Sequence, residues 1–242
     1  MPSPFFKEYG NEIEFQGEFD LNRKISNLDS SVPARTQGRT SAHRERSSLL
    51  IYLKELSKKN LLKYPLKIIK RESPDFFVVC SDGTTTSLEE TEAGTEDYQR
   101  AMTKLEKCPQ GTILETDLFK LEKAPLPKGD YKKALRRPEE KLIGNGWEGD
   151  SMEREWCELI LDAINKKTKS LNQPNFKSAN RYELLIYDNS HVSGLNIAEA
   201  LPLLKKAVVI NHNLKSSEKK WHSISVIKGN QLFYNVAKEQ TS

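Results

Sequence analysis

Hydrophobic positions along the chain follow two periods, and the changes between them mark the elements. Leu49, Leu50, Leu53 and Leu56 recur at helical spacing, which predicts an amphipathic helix over 41–56 ending near Lys58-Lys59-Asn60. Residues 64–69 then alternate as a short strand. Phe76-Phe-Val-Val-Cys80 is a compact β-rich run, Ser81-Asp-Gly-Thr84 a turn, and 85–91 the returning strand. Thr95-Glu-Asp opens a second helix carrying Tyr98, Met102 and Leu105, with acidic residues in the first turn, where the helix dipole favours them. Met152, Trp156, Leu159, Ile160 and Ala163 form one stripe of a strong helix that Asp150 or Ser151 caps and Lys166, Lys167 and Lys169 crowd at its end. Residues 182–187 read as a central strand stopped by Asp188-Asn189. Residues 197–206 read as a helix with Pro202 in its first turn, and 223–227 with 232–236 as a closing hairpin around Lys228-Gly-Asn230.

Two stretches lack such a pattern. Residues 1–40 are polar with little periodicity and are expected to form an irregular N-terminal arm. Residues 119–146 contain Pro125, Pro127, Pro138, Gly129, Gly144 and Gly146 and are expected to form a long loop. The remainder, 41–242, predicts a single α/β (α+β) domain with a mixed central sheet flanked by helices. No internal repeat is present.

Composition narrows the class. With 36% hydrophobic and 30% charged residues the chain is polar yet able to bury a core. No apolar run approaches the roughly 18 residues needed to span a bilayer. Met1-Pro-Ser-Pro-Phe-Phe-Lys lacks a basic stretch followed by an apolar one, so no secretory signal is expected and the cytoplasm is the default compartment. Cys80, Cys108 and Cys157 are odd in number and widely spaced, which predicts reduced thiols, with Cys157 in the core of its helix. His43, His191, His212 and His222 show no metal-ligand spacing and read as surface or partly buried residues. Asp188-Asn-Ser-His191 ends a strand, where active-site groups often lie, but an Asx turn or helix cap explains it equally well.

The net charge of +4 announces no polyanionic partner, but its distribution is uneven. Between Phe119 and Lys141 eight basic residues (Lys120, Lys123, Lys128, Lys132, Lys133, Arg136, Arg137, Lys141) face four acidic ones (Glu122, Asp130, Glu139, Glu140). That surplus attracts phosphate; Lys132, Lys133, Arg136 and Arg137 are the candidate nucleic-acid contacts, and a solvated linker is the alternative.

The informative chemistry lies at the first hairpin. Asp75 opens one strand and Glu89 lies on the strand returning beside it. If the loop holds an odd number of residues the two face each other, with Thr91 on the same face. Opposed carboxylates repel unless a cation lies between them, and hard oxygen ligands favour Mg2+ or Mn2+. Pro74-Asp75, a short strand and turn, then Glu89-x-Thr91, with a helix before and after, resembles the motif of the restriction-endonuclease-like PD-(D/E)xK nucleases over roughly residues 41–108. The resemblance implies a restriction-endonuclease-like fold, metal ligation by Asp75 and Glu89, and a further carboxylate from the preceding helix. Glu45 has the helical phase to supply it; Glu55 lies on another face. It implies Mg2+ or Mn2+ as cofactor and nucleic acid as partner, DNA ahead of RNA, with no membrane and a homodimer left open. The catalytic set is then Asp75, Glu89, Thr91 and Glu45, hydrolysing phosphodiester bonds. Two departures from the pattern stand out: Thr91 replaces the motif lysine, and Glu90 occupies a position that is normally apolar. Glu90-Thr-Glu92 is an alternative register, and Lys67, Lys70 or Arg100 are candidates for the missing cation. The rival class is a catalytically degenerate module of the same fold that binds nucleic acid or a protein.

Overall fold

A computed structural model describes residues 5–127, 129–137, 139–140 and 146–236 (Asn213 by its backbone alone). Its main sheet has seven strands in the order β1 (Glu12–Phe15), β2 (Leu66–Lys70), β3 (Phe76–Cys80), β4 (Thr85–Ala93), β7 (Arg181–Asp188), β8 (Ser223–Lys228) and β9 (Gln231–Phe233). The β4–β7 and β7–β8 pairs are parallel and the others antiparallel, so a hairpin half and a crossover half meet at β4. Helices cover both faces, as the sequence predicts for a mixed α/β sheet.

Strand alternation sends side chains to two cores. On one face, helix α2 (Ser41–Lys58) lays Leu49, Leu50 and Leu53 against Leu66, Ile68, Phe76, Leu88 and Leu185. Burying each of these leucines contributes roughly 1.5–3 kcal/mol relative to leaving it in water. On the other face, α4 (Ser151–Leu171) and α5 (Ile197–Ile210) bring Trp156, Ile160, Ile164 and Leu204 against Leu184, Ile186, Ile224 and Val226.

The structure departs from the sequence reading in three places. The stretch expected to be an irregular arm carries β1 and helix α1 (Glu18–Asn27), and Phe6, Ile13, Phe15, Leu21 and Ile25 are buried in the α2-side core. The expected 119–146 loop is partly ordered. Strands β5 (Ile113–Leu114) and β6 (Leu135–Arg136) pair into a second, two-stranded sheet. Phe119, Tyr131 and Ala134 there form a small core with Ala101 of α3 (Glu96–Leu105). Lys128, Pro138 and residues 141–145 lie outside the described residues. Finally, Pro202 falls beyond the first turn of α5, whose cap is Asn196 accepting from the Ala198 amide at 3.2 Å. The ring is exposed, so the lost backbone donor lies on the water side of the helix. A short helix, α6 (His212–Ser216), follows α5. No helix among the described residues is long and apolar enough to cross a membrane.

Candidate functional site

Val79 pairs with Thr85, which leaves residues 80–84, an odd number, to close the hairpin. Phe76 pairs with Leu88, so continuing the register sets Asp75 opposite Glu89. Backbone amides from each strand bond the carboxylate of the other. The Asp75 amide donates to Glu89 Oε2 at 3.3 Å, and the amide of Glu90 donates to Asp75 Oδ2 at 2.8 Å.

Cations from two other elements complete the cluster. Lys70, at the end of β2, places Nζ 3.5 Å from Asp75 Oδ1 and 2.9 Å from Glu45 Oε2. Lys167 of α4 donates to Glu89 Oε1 at 2.6 Å. Burial pushes the Asp75 carboxyl above its usual range, against the pull of the Glu90 amide, Lys70 and Lys167. Burial likewise raises Glu89, and the Asp75 charge raises it further while Lys167 opposes both. The site is thus a desolvated carboxylate pair matched by two lysines.

Glu45 is buried and faces this cluster, but Lys70 stands between it and Asp75. Among the described residues no three His, Cys, Asp or Glu side chains converge as a ready metal cage. Thr91 lies one alternation beyond Glu89 and pairs with Ile186 in the parallel ladder. Of the three cations considered for the missing lysine, Lys70 is at the site. Lys67 instead pairs with Glu12, and Arg100 with Glu96 at 2.6 Å on the surface of α3. The sequence reading missed Lys167. Its spacing carried a signal: Ile160, Ile164, Lys167 and Leu171 lie four, three and four residues apart, along the inward stripe of α4.

Glu90 points to the opposite face and is only 2% exposed. Arg44 of α2 grips it from two nitrogens, with Nε 3.0 Å from Oε1 and Nη2 2.9 Å from Oε2, and reaches Glu92 Oε2 through Nη1 at 2.7 Å. Ser48 donates to Glu90 at 3.2 Å, and Arg35 pairs with Glu92 at 3.0 Å. The charge at a normally apolar position is therefore answered by a guanidinium, and the alternative register Glu90-Thr-Glu92 forms a clamped ion network. Gly94, just past Ala93 at the end of β4, has φ +146°; a Cβ there would come within 2.7 Å of the Asn189 carbonyl oxygen, so the ends of β4 and β7 approach too closely for any side chain.

Among the described residues of the basic segment, four cations are paired with nearby carboxylates. Arg136 sits 3.4 Å from Glu115 and donates to the Lys133 carbonyl at 2.5 Å, and Lys133 pairs with Asp130 at 2.8 Å. Lys120 binds Asp117 at 2.6 Å and lies 4.7 Å over the Trp147 ring; Lys123 also binds Asp117. Lys132 and Arg137 are exposed. Of the four candidate nucleic-acid contacts, Lys133 and Arg136 are thus engaged by carboxylates while Lys132 and Arg137 face solvent.

Asp188 closes an Asx turn, accepting from the Ser190 amide at 3.0 Å, and also accepts from Trp156 Nε1 at 2.9 Å and Lys228 at 2.8 Å. His191 is buried, not a surface residue: Nε2 is 2.7 Å from Glu155 Oε1, and Trp147 stacks on its ring. All three cysteines are free thiols, and Cys157 is buried. No family model, no curated protein and no solved structure matches the chain.

Proposed function

We propose that the chain is a metal-dependent phosphodiester hydrolase of the restriction-endonuclease-like kind, acting on nucleic acid, DNA ahead of RNA, in a reducing cytoplasmic setting. The observation that carries this reading is the Asp75–Glu89 pair, Glu89 buried and Asp75 half-buried, flanked by Lys70 and Lys167 from two different elements. Carboxylates whose charge is opposed by burial and by a neighbouring acid gather at sites that hold a cation or move a proton, and this pair is met by lysines and not by a bidentate arginine.

The donor set fits a hard divalent ion. Asp75 and Glu89 offer carboxylate oxygens from adjacent strands, and Mg2+ needs only one or two such ligands besides water and phosphate. Bound there, the ion would supply a water of lowered pKa and shield charge at the scissile phosphate. Lys167 fills the role left open by Thr91: its ammonium, beside Glu89, stabilises negative charge on the phosphate oxygens. Glu45 orients Lys70, which in turn neutralises Asp75 when no ion is bound. Phosphate approaching the pair draws on both lysines, so substrate and carboxylates share the same cations.

A second reading has its own observation. Asp75 and Glu89 already receive donors from Lys70, Lys167 and two amides, which balances the pair without an ion. A binding module of the same fold, taking nucleic acid or protein, is built that way too. Incubation with DNA and RNA in Mn2+, Mg2+ and EDTA separates the two. Cleavage that needs the metal and disappears in Lys167→Met supports the enzyme. Binding that weakens with salt, with no cleavage under any condition, identifies the module.

A further inference from the structure

The face of the sheet opposite Glu89 holds a cavity of about 400 Å3 between α2 and strands β2, β3, β4 and β7. This volume falls within the range of small-molecule sites. Most of its wall is apolar, from Leu49, Leu53 and Leu56 on α2 and Leu66 and Leu88 on the sheet. One end differs. Glu183, 8% exposed, carries its carboxylate there. Tyr52 donates its hydroxyl to Oε2, and Arg181 Nε donates to Oε1 at 3.2 Å. Tyr234 also lines the cavity.

A carboxylate offers about four acceptor positions, so two protein donors leave lone pairs for a third. The countercharge is lopsided. The Arg181 side chain is 41% exposed, where water screens it, while that of Glu183 is 11% exposed. The neighbouring phenols register this imbalance. Burial raises Tyr52 and Tyr234, and in both the Glu183 charge adds more to the rise than Arg181 removes. The cavity therefore joins greasy walls to an end where the Glu183 carboxylate lies beside Arg181, while Lys63, also on the wall, is paired with Asp82 at 2.7 Å.

We infer that this cavity binds a small amphipathic primary ammonium ion, its aliphatic or aromatic body among the leucines and its ammonium donating to Glu183. The buried carboxylate supplies the countercharge. An anionic ligand of the same shape would meet Glu183 head-on, and a neutral alcohol would forgo the charge-assisted hydrogen bond. The inference stands apart from the Asp75–Glu89 site, which lies on the other face.

The test uses the full chain with n-octylammonium, below its micelle-forming concentration, against n-octanol and n-octanoate. Calorimetry should show n-octylammonium binding at least roughly tenfold more tightly than either control, as expected for a hydrogen bond to a charged group. Glu183→Gln should lose about that factor. Leu61 lines the mouth and is 48% exposed, so Leu61→Lys leaves the core intact and keeps the test open if Glu183→Gln fails to fold. It should weaken n-octylammonium and strengthen n-octanoate. Cys80 lines the cavity while Cys108 does not, so saturating n-octylammonium should slow N-ethylmaleimide labelling of Cys80 alone. Absence of binding, equal affinity for n-octanol, unchanged affinity in both variants, or unprotected Cys80 in saturated protein would each overturn the assignment.

Discussion

Glu89 and Glu90 are neighbours on one strand, yet the protein treats their charges in opposite ways. Glu90 is held by a planar guanidinium that bonds both carboxylate oxygens and reaches on to Glu92. Glu89 is answered by a lysine, a point charge on a flexible stem, and shares its space with Asp75. A bidentate arginine fixes geometry, whereas lysines can be drawn off by phosphate while a metal takes their place. The contrast separates a charge clamped to α2 by a bidentate arginine from one that, on the proposed function, is left to meet an arriving ion.

The sharpest way to break the comparison is to neutralise each side. Asp75→Asn or Glu89→Gln should reduce Mn2+-dependent cleavage by roughly 1000-fold, the several kcal/mol a metal supplies to charge development. Both variants should keep the wild-type circular dichroism spectrum. Cleavage persisting in both would place the activity elsewhere.

On the other face the same kind of change should damage the fold. Arg44→Ala strands Glu90 without its partner and should cost roughly 3 kcal/mol, a fall in Tm of roughly 10 °C. Replacing both residues, with Arg44→Met and Glu90→Leu, should recover most of that loss, because no uncompensated buried charge remains. A double variant no more stable than Arg44→Ala would show that the arginine acts through Glu92 or Arg35 and not through Glu90.

Acid acts on both faces, because burial raises the Glu90 carboxyl as well, against the pull of Arg44. The Asp75 and Glu89 carboxyls titrate above their usual range in the folded chain, so the folded state binds more protons than the unfolded one across that window. Stability of the metal-free protein should therefore decline as pH rises through it, and the deficit persists at neutral pH. Asp75→Asn or Glu89→Gln should raise the metal-free Tm by about 2–4 °C per kcal/mol of strain removed, an advantage that fades below the ordinary carboxylate range. Mn2+ affinity should fall as pH is lowered through the same window, because the ion displaces protons. Thermal scans and metal titrations across pH check both.

The smallest effect should come from the basic segment. Lys132→Gln with Arg137→Gln should lower the slope of log affinity against log salt by at most about two, without altering preference among sequences. A wild-type slope would leave the segment as a solvated surface.

Much of this architecture was readable along the chain. The α2 leucine stripe, the β3–β4 hairpin and the α4 stripe follow from periodicity, whereas the opposition of Asp75 and Glu89 hung on an odd loop that only the strand register supplies. Glu12-Ile-Glu-Phe15 also alternates, but over four residues, too short to stand out from a polar stretch; burial of Ile13 and Phe15 shows only once β2 lies beside them. The hairpin that carries Asp75 and Glu89 is local and therefore visible. The partners of their charges are not, because Lys167 reaches Glu89 only after α4 has packed on the sheet. Arg44 likewise reads as one more cation on a charged helix until Glu90 is known to face it.

The parallel pairing of β4 with β7 has a consequence for the order in which the molecule is made. Between Ala93 and Arg181 the chain runs through 181 − 93 − 1 = 87 residues before β7 can dock. Closing so long a loop comes late, while the β2–β3–β4 meander needs only short turns. As the chain grows from its N-terminus, the opposed acids are laid down first and Lys167 joins them more than 70 residues later, since 167 − 89 = 78. A half-made chain holds two acids without this lysine, and the cluster reaches its resting charge only once α4 has been made and has packed against β4.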